Sequence, residues 1–227
     1  FIGTSAFHTC PNIEGTLDLP DSLETLGGAA FYRCESLTGS LVIPPKVTRI
    51  HYHTFDQCKN LDGTLTIKGN VTNIDSYAFR MCSKLTGNLT LPNSLESIGI
   101  ASFHLVNRMD GHLKLPQALV SIGIAAFHSC SRLQGELRLP DTLTEIGGAA
   151  FYMVQRMTGS IVIPPGVDKI NSHTFDHMQS LDGNVTLGDN IVSIGVAAFR
   201  ACAKLRGDLT IPNSVESIGI VSASCAS

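Results

Sequence analysis

A repeat solenoid, mostly β with short helical or 3₁₀ turns, is the fold this sequence predicts, and three columns of residues predict it. Phe recurs at Phe7, Phe31, Phe55, Phe79, Phe103, Phe127, Phe151, Phe175 and Phe199, always at an interval of 24 residues. Eight positions after each Phe stands a Gly, from Gly15 through Gly111 to Gly207. Nineteen after it stands a branched aliphatic residue: Leu26, then Ile50, Ile74 and every 24th residue to Ile218. Chance does not hold three such columns in register. A unit of this size cannot bury its own apolar face, so about nine coils must stack and share one core, each touching only its neighbours.

Each part of the unit has its own physical reason. In Gly15-Thr16-Leu17-Asp18-Leu19 polar and apolar residues alternate, the pattern of a short strand with one face buried. Pro20 ends it, because Pro cannot donate to a ladder. Pro holds that place in seven of nine units, Lys68 and Gly188 being the exceptions. Leu23 and Leu26 point inward along the return path. Ala30-Phe31, Cys34 and Leu37 follow at spacings of about three, which reads as one helical or 3₁₀ turn packed on its inner side. One strand per coil at about 4.8 Å gives a rod of roughly 45 Å.

A second period overlies the first. The residue after each Phe runs His8, Tyr32, Asp56, Arg80, His104, then His128, Tyr152, Asp176, Arg200, a return after 120 residues. His53-Thr54-Phe55-Asp56 likewise returns as His173-Thr174-Phe175-Asp176. Packing makes core columns repeat, but solvent-side positions have no such reason. The chain therefore reads as one domain, 1–227, in which a five-unit block, 7–126, was duplicated as 127–227.

Composition agrees with a packed chain: 43% hydrophobic and 15% charged, with a net charge of −3. That small charge calls for no nucleic acid, and no apolar stretch reaches the roughly 18 residues of a membrane span. The chain opens at Phe1 without a signal peptide, as a mature form or an excised piece would.

The unit Leu85-Thr86-Gly87-Asn88-Leu89-Thr90-Leu91-Pro92-Asn93-Ser94-Leu95-Glu96-Ser97-Ile98-Gly99, closed by Ser102-Phe103, resembles the BspA-like leucine-rich repeats. Ala30-Phe31-Tyr32-Arg33-Cys34-Glu35-Ser36-Leu37 is similar to that family's Ala-Phe-x-x-Cys-x-x-Leu signature. The resemblance covers almost the whole chain, Ala223 standing where a tenth Phe would fall. It implies a leucine-rich-repeat solenoid, extracellular or on the cell surface, with a role in adhesion. A shared fold does not by itself carry a function.

Candidate chemistry is sparse. Cys10, Cys34, Cys58, Cys82, Cys130 and Cys202 share one column with Val106, Val154, Met178 and Ala226, so they read as small buried hydrophobes, reduced, with Cys225 the accessible thiol. No Cys-x-x-Cys pair suggests zinc. His104 and His128 fall on adjacent coils about 5 Å apart and read as two solvated imidazoles, while His51, His53 and His173 read as loop residues. No nucleophile motif or phosphate-cradling loop appears, and neither enzyme activity nor a cofactor is expected. Asp56–Arg80 and Asp176–Arg200 are expected as exposed inter-coil ion pairs of little energetic worth. Thr64 and Thr66 form an outward Thr-x-Thr, but their neighbours do not extend it into an ice-matching face. Asn70, Asn88 and Asn184 each begin a glycosylation pattern.

Surface charge is more informative. Five residues after Phe stand Lys84, Arg108, Arg132 and Arg156 on four successive coils, flanked by Asn60 and Ser180. Outward strand positions add Lys114 and Arg138, with His112 beside Lys114. Like charges stacked this closely repel unless countered, and Asp110 and Glu136 are expected to counter them in part. One reading is a solvated edge, the other a site for an anionic partner, either an acidic protein or a sulfated glycan. The function expected is a binding scaffold for protein or glycan along its outer strand face. Its rival is a structural block that stacks head to tail into a filament, because neither end carries a recognisable cap.

Overall fold

The computed structural model describes residues 1–219; Ala223, Cys225 and Ala226 lie outside the described residues. From Phe7 to Phe199 the chain makes eight complete turns of a path whose only regular elements are strands. Every strand pair is parallel, each strand pairing with one in the next coil.

Two ladders form where the sequence led us to expect one. The first follows the predicted strand: Leu41–Ile43 pairs with Leu65–Ile67, Leu89–Thr90 with Leu113–Lys114, and Ile161–Val162 with Val185–Thr186. The second lies on the return path and is the more continuous. It runs through Arg49–Ile50, Asn73–Ile74, Ser97–Ile98, Ser121–Ile122 and Glu145–Ile146, then resumes through Lys169–Ile170, Ser193–Ile194 and Ser217–Ile218. The Ile column is thus the buried member of a sheet and not merely an inward residue of a loop.

Around each Phe the expected helical or 3₁₀ turn is absent among the described residues. Overlapping reverse turns replace it: Tyr32 N–H donates to Ala29 O, and Cys34 N–H to Phe31 O. The residues two before and two after Phe take left-handed backbone, as at Ala29 (φ 53°) and Arg33 (φ 57°), and this recurs through Ala197 and Ala201. Left-handed backbone costs a non-Gly residue roughly 1–2 kcal/mol. What it gains is direction. The N–H groups of Ala29, Phe31 and Arg33 all point to the next coil and donate to Tyr52, Thr54 and Asp56 carbonyls at 2.8–2.9 Å. A helical turn would have turned those donors back into its own coil.

The core follows the predicted columns. Phe31 to Phe175 are buried and stack face to face in an unbroken series, with ring centroids 5.3–5.8 Å apart from Phe31 to Phe199. Leu37, Leu41, Leu23 and Leu26 begin further buried columns. Among the described residues only the outer coils leave these columns exposed, at Phe7, Ile13, Leu209 and Ile218.

Cysteine has a reason beyond its size. The thiols of Cys34, Cys58, Cys82 and Cys130 each donate to a Phe carbonyl one coil back, at 3.0–3.1 Å (Phe7, Phe31, Phe55 and Phe103). Cys202 donates likewise to Phe175 O. Burial pushes the Cys130 thiol up to about 12 and raises those of Cys34, Cys58 and Cys82 as well, so these four stay protonated and unreactive.

Phe79 touches a ring above and a ring below, so its loss opens space in three coils at once. Phe79→Ala should cost about 3–5 kcal/mol by urea denaturation; a loss under about 1 kcal/mol would mean that the stack carries little of the core.

Candidate functional site

The basic column occupies the corner leading into the first ladder. Each member stands between two buried residues: Lys84 between Cys82 and Leu85, Arg108 between Val106 and Met109, Arg132 between Cys130 and Leu133, and Arg156 between Val154 and Met157. With the inward places taken, all four side chains are exposed. His112 and Lys114 are exposed on the strand that follows Arg108, and Arg138 on the next coil.

The expected compensation is incomplete. Arg138 is matched, since its Nε and Nη2 donate to Glu136 Oε2 at 3.1 and 2.7 Å. Asp110 is not a counter-charge to the basic residues. Its Oδ1 accepts the backbone N–H of Gly87, a glycine with φ of +78°. Asp62 and Asp182 serve Gly39 and Gly159 in the same way. These carboxylates satisfy a donor that the left-handed glycine turns outward. Lys84, Arg108, Arg132, Arg156 and Lys114 therefore form no ion pair among the described residues. They make a run of cations at about 4.8 Å per coil.

Two further clusters lie along the column that follows Phe. Asp56 and Asp176 were expected at an exposed site, but both are completely buried. Arg80 donates Nε and Nη2 to the two oxygens of Asp56, each at 2.9 Å, and His53 Nδ1 lies 2.6 Å from Oδ2. Asp176 is met by Arg200, His173 and His177. His53 and His173 are thus partners of a buried carboxylate and not free loop residues. Burial pushes the Asp176 carboxyl up, but its bonds from His173, Arg200 and His177 outweigh that and hold it below the ordinary value. The His-x-x-Asp spacing and its exact 120-residue return were the visible signal; burial was not.

His104 and His128 stack at 4.5 Å between centroids, and His128 meets the Tyr152 ring at 4.6 Å with a tilt of 35°. Half-buried, they are not the solvated pair expected. Burial, then the neighbouring His128 and Arg80, lower His104 to about 4; burial lowers His128 as well. Among the described residues no cluster of His, Cys, Asp and Glu could hold a metal ion.

The family model described as a BspA type leucine rich repeat region matches residues 1–109 and 111–224, with six copies. Among solved structures, a leucine rich cell surface protein from Faecalibacterium prausnitzii A2-165 superposes with a TM-score of 0.62 at 24% identity. That match covers 96% of this chain and 64% of the other, so the chain spans about two thirds of that protein's length. A leucine rich repeat protein from T. pallidum gives a TM-score of 0.50 at 26% identity over 84% of this chain and 78% of that one. No curated protein matches the sequence.

The histidine stack sets a pH dependence with a definite sign. Unfolded His104 protonates near its ordinary 6.5 and the folded residue only at about 4, so in between the unfolded chain binds more protons. Stability should fall as pH drops from 6.5 toward 4. Asp176 does not act in this window: its contribution is fully present above its ordinary 3.8 and lost only below it. His104→Gln should flatten the slope of Tm against pH between 6.5 and 5 (roughly, by linkage). An unchanged slope would mean that the stacked rings titrate as free imidazoles.

Proposed function

Since the chain belongs to the BspA-type leucine-rich-repeat family, we propose that it is a non-catalytic recognition module presented outside the cell, whose flank of unmatched cations takes an anionic partner. Repeat families of this kind are generally binding scaffolds, and the Faecalibacterium relative is described as a cell surface protein. Among the described residues no helix is long and apolar enough to cross a membrane. The observation that carries the reading is the run Lys84, Arg108, Arg132 and Arg156, exposed and without ion-pair partners among the described residues on four successive coils. Each added cation raises the repulsion within the column, and a polymer with anionic groups along its length relieves it. A sulfated glycan has that chemistry, and an acidic protein surface is the alternative partner.

Reversing Arg108, Arg132 and Arg156 to Glu should abolish retention on a heparin column and leave Tm nearly unchanged, because all three residues are exposed. Binding should be strongest at low salt, where screening is weakest. A wild-type chain that fails to bind there ends the reading.

A second reading rests on the outer coils. Leu209, Ile211 and Ile218 are 58%, 41% and 53% exposed, and Phe7 and Ile13 are 39% and 38% exposed. A second copy stacked head to tail would cover both rows in register and grow a filament, as would further coils of a longer chain. Light scattering over a concentration series tests self-stacking: mass should rise with concentration, and a monomer throughout excludes it.

A further inference from the structure

Three of the chain's four tyrosines surround one imidazole. The His53 ring stacks on Tyr77 at 4.7 Å between centroids and meets Tyr32 and Tyr52 edge-on, at 5.7 and 6.1 Å. All four rings are thus in contact on one surface, that of the turns around Phe. Beneath them His53 Nδ1 lies 2.6 Å from the buried Asp56 carboxylate. A carboxylate only accepts, so Nδ1 holds the proton, and in the neutral ring Nε2 is left as an acceptor. The His53 side chain is 33% exposed.

Two of the three tyrosine rings are already taken. Arg33 lies over Tyr32 at 5.9 Å, and Arg80 lies over Tyr77 at 5.0 Å. Among the described residues Tyr52 has neither a cation nor a stacked ring against it, and it is 51% exposed. A Cβ at Gly28 of the preceding coil would stand 2.9 Å from its Cε1 and Cζ and 3.2 Å from its Cε2. Such nearly equal distances put the face of the ring, not its edge, over that bare glycine. The opposite face is the one open to solvent.

We infer that this aromatic cluster binds an uncharged sugar, with Tyr52 as its platform. A pyranose has an apolar C–H face and a rim of hydroxyls. The open face of Tyr52 suits the first, since aromatic rings present a negative face to C–H groups. Hydroxyls both donate and accept, and so do the groups around Tyr52: His53 Nε2 accepts, and Gln57 Nε2, which reaches the Tyr32 hydroxyl at 3.3 Å, donates. A proline-rich peptide also packs on tyrosine, but its proline nitrogens have no N–H to give His53. Main-chain pairing with a peptide strand is blocked, because the N–H groups of His53, Phe55 and Gln57 already donate to the next coil. Asp56 is balanced by Arg80, so the site holds no uncountered cation for an anion and does not rest on the basic flank.

The 120-residue return supplies an internal comparison. It keeps Tyr32, His53, Asp56 and Arg80 as Tyr152, His173, Asp176 and Arg200. At the places of Tyr52 and Tyr77 it has Ser172 and Ala197. The same turns therefore fold without the two added rings, and Tyr52→Ser copies a residue that the scaffold already accepts.

Saturation-transfer NMR on the whole chain tests this at millimolar concentration. The probes are uncharged hexasaccharides of glucose, mannose, xylose and N-acetylglucosamine, beside a peptide made only of proline. At least one sugar should receive saturation on its ring C–H protons. Tyr52→Ser should weaken that binding roughly tenfold, and Tyr52→Phe should keep it. Gly28→Ala should weaken it too, by displacing the ring, with Tm nearly unchanged, since the three atoms nearest the added methyl all belong to Tyr52. The Arg108, Arg132 and Arg156 reversals should leave it as it is, so this test and the heparin test fail independently. The inference is overturned if none of the four sugars binds the wild-type chain, if the proline peptide alone binds, or if sugar binding survives Tyr52→Ser.

Discussion

Each coil hands three backbone donors to the next through the turns around Phe, and this transfer constrains everything else in the molecule. Phe31 N–H reaches Thr54 O, Phe55 N–H reaches Ala78 O, and so on to Phe175 and Ala198, always one coil ahead and one residue short of the next Phe. An added or lost residue would point the donors of one coil at the wrong carbonyls. It would also move a ring out of the Phe stack, where each neighbour lies within 5.8 Å. The interval of 24 residues is therefore rigid for two reasons that act on the same turn, and left-handed backbone at non-Gly residues is tolerated because the bonds it directs are repeated at every coil.

Strict register means that every side chain meets its own column at the next coil. Most columns contain a device that makes such stacking favourable. Cysteine donates its thiol to a carbonyl below. Serine and asparagine before the first ladder accept the N–H above, as Ser40 does from Thr64 and Asn88 from His112. After Phe, Asp56 and Asp176 are each bound by the Arg of the next coil, Arg80 and Arg200. The column of Lys84, Arg108, Arg132 and Arg156 has no such device. Stacked cations cost stability wherever they are uncountered, so this column is the one whose arrangement the fold itself does not explain.

Much of this was legible in the sequence, and what was not has physical causes. Columns such as Phe, Ile and Leu announce burial because only apolar residues survive there. The second ladder was hidden because Arg49-Ile50 or Ser97-Ile98 is too short for an alternating pattern to emerge. The left-handed turns were hidden because Ala, Arg, Met and His fill them where Gly would have signalled them. Asp56 and Asp176 misled because a charged residue next to Arg on the following coil has the same spacing whether it is wet or dry. Of the candidate site, the positions and exposure of the cations were legible. The diversion of Asp110 to a glycine N–H was not, since it depends on which coils carry a left-handed Gly.

The 120-residue return helps to separate what the coil requires from what the surface adds. The buried group of His53, Asp56 and Arg80 recurs intact 120 residues later, as residues needed by the turn should. The cationic column follows that rule only at Lys84, which returns as Lys204. Lys84 and Arg108 belong to the first block and Arg132 and Arg156 to the second, so the run straddles the junction between them. The first-block counterparts of Arg132 and Arg156 are Asn12 and Ser36, both neutral. The 120-residue return therefore does not account for four cations in succession. The run is a property of the assembled surface, with charges from both halves of the chain brought to one flank.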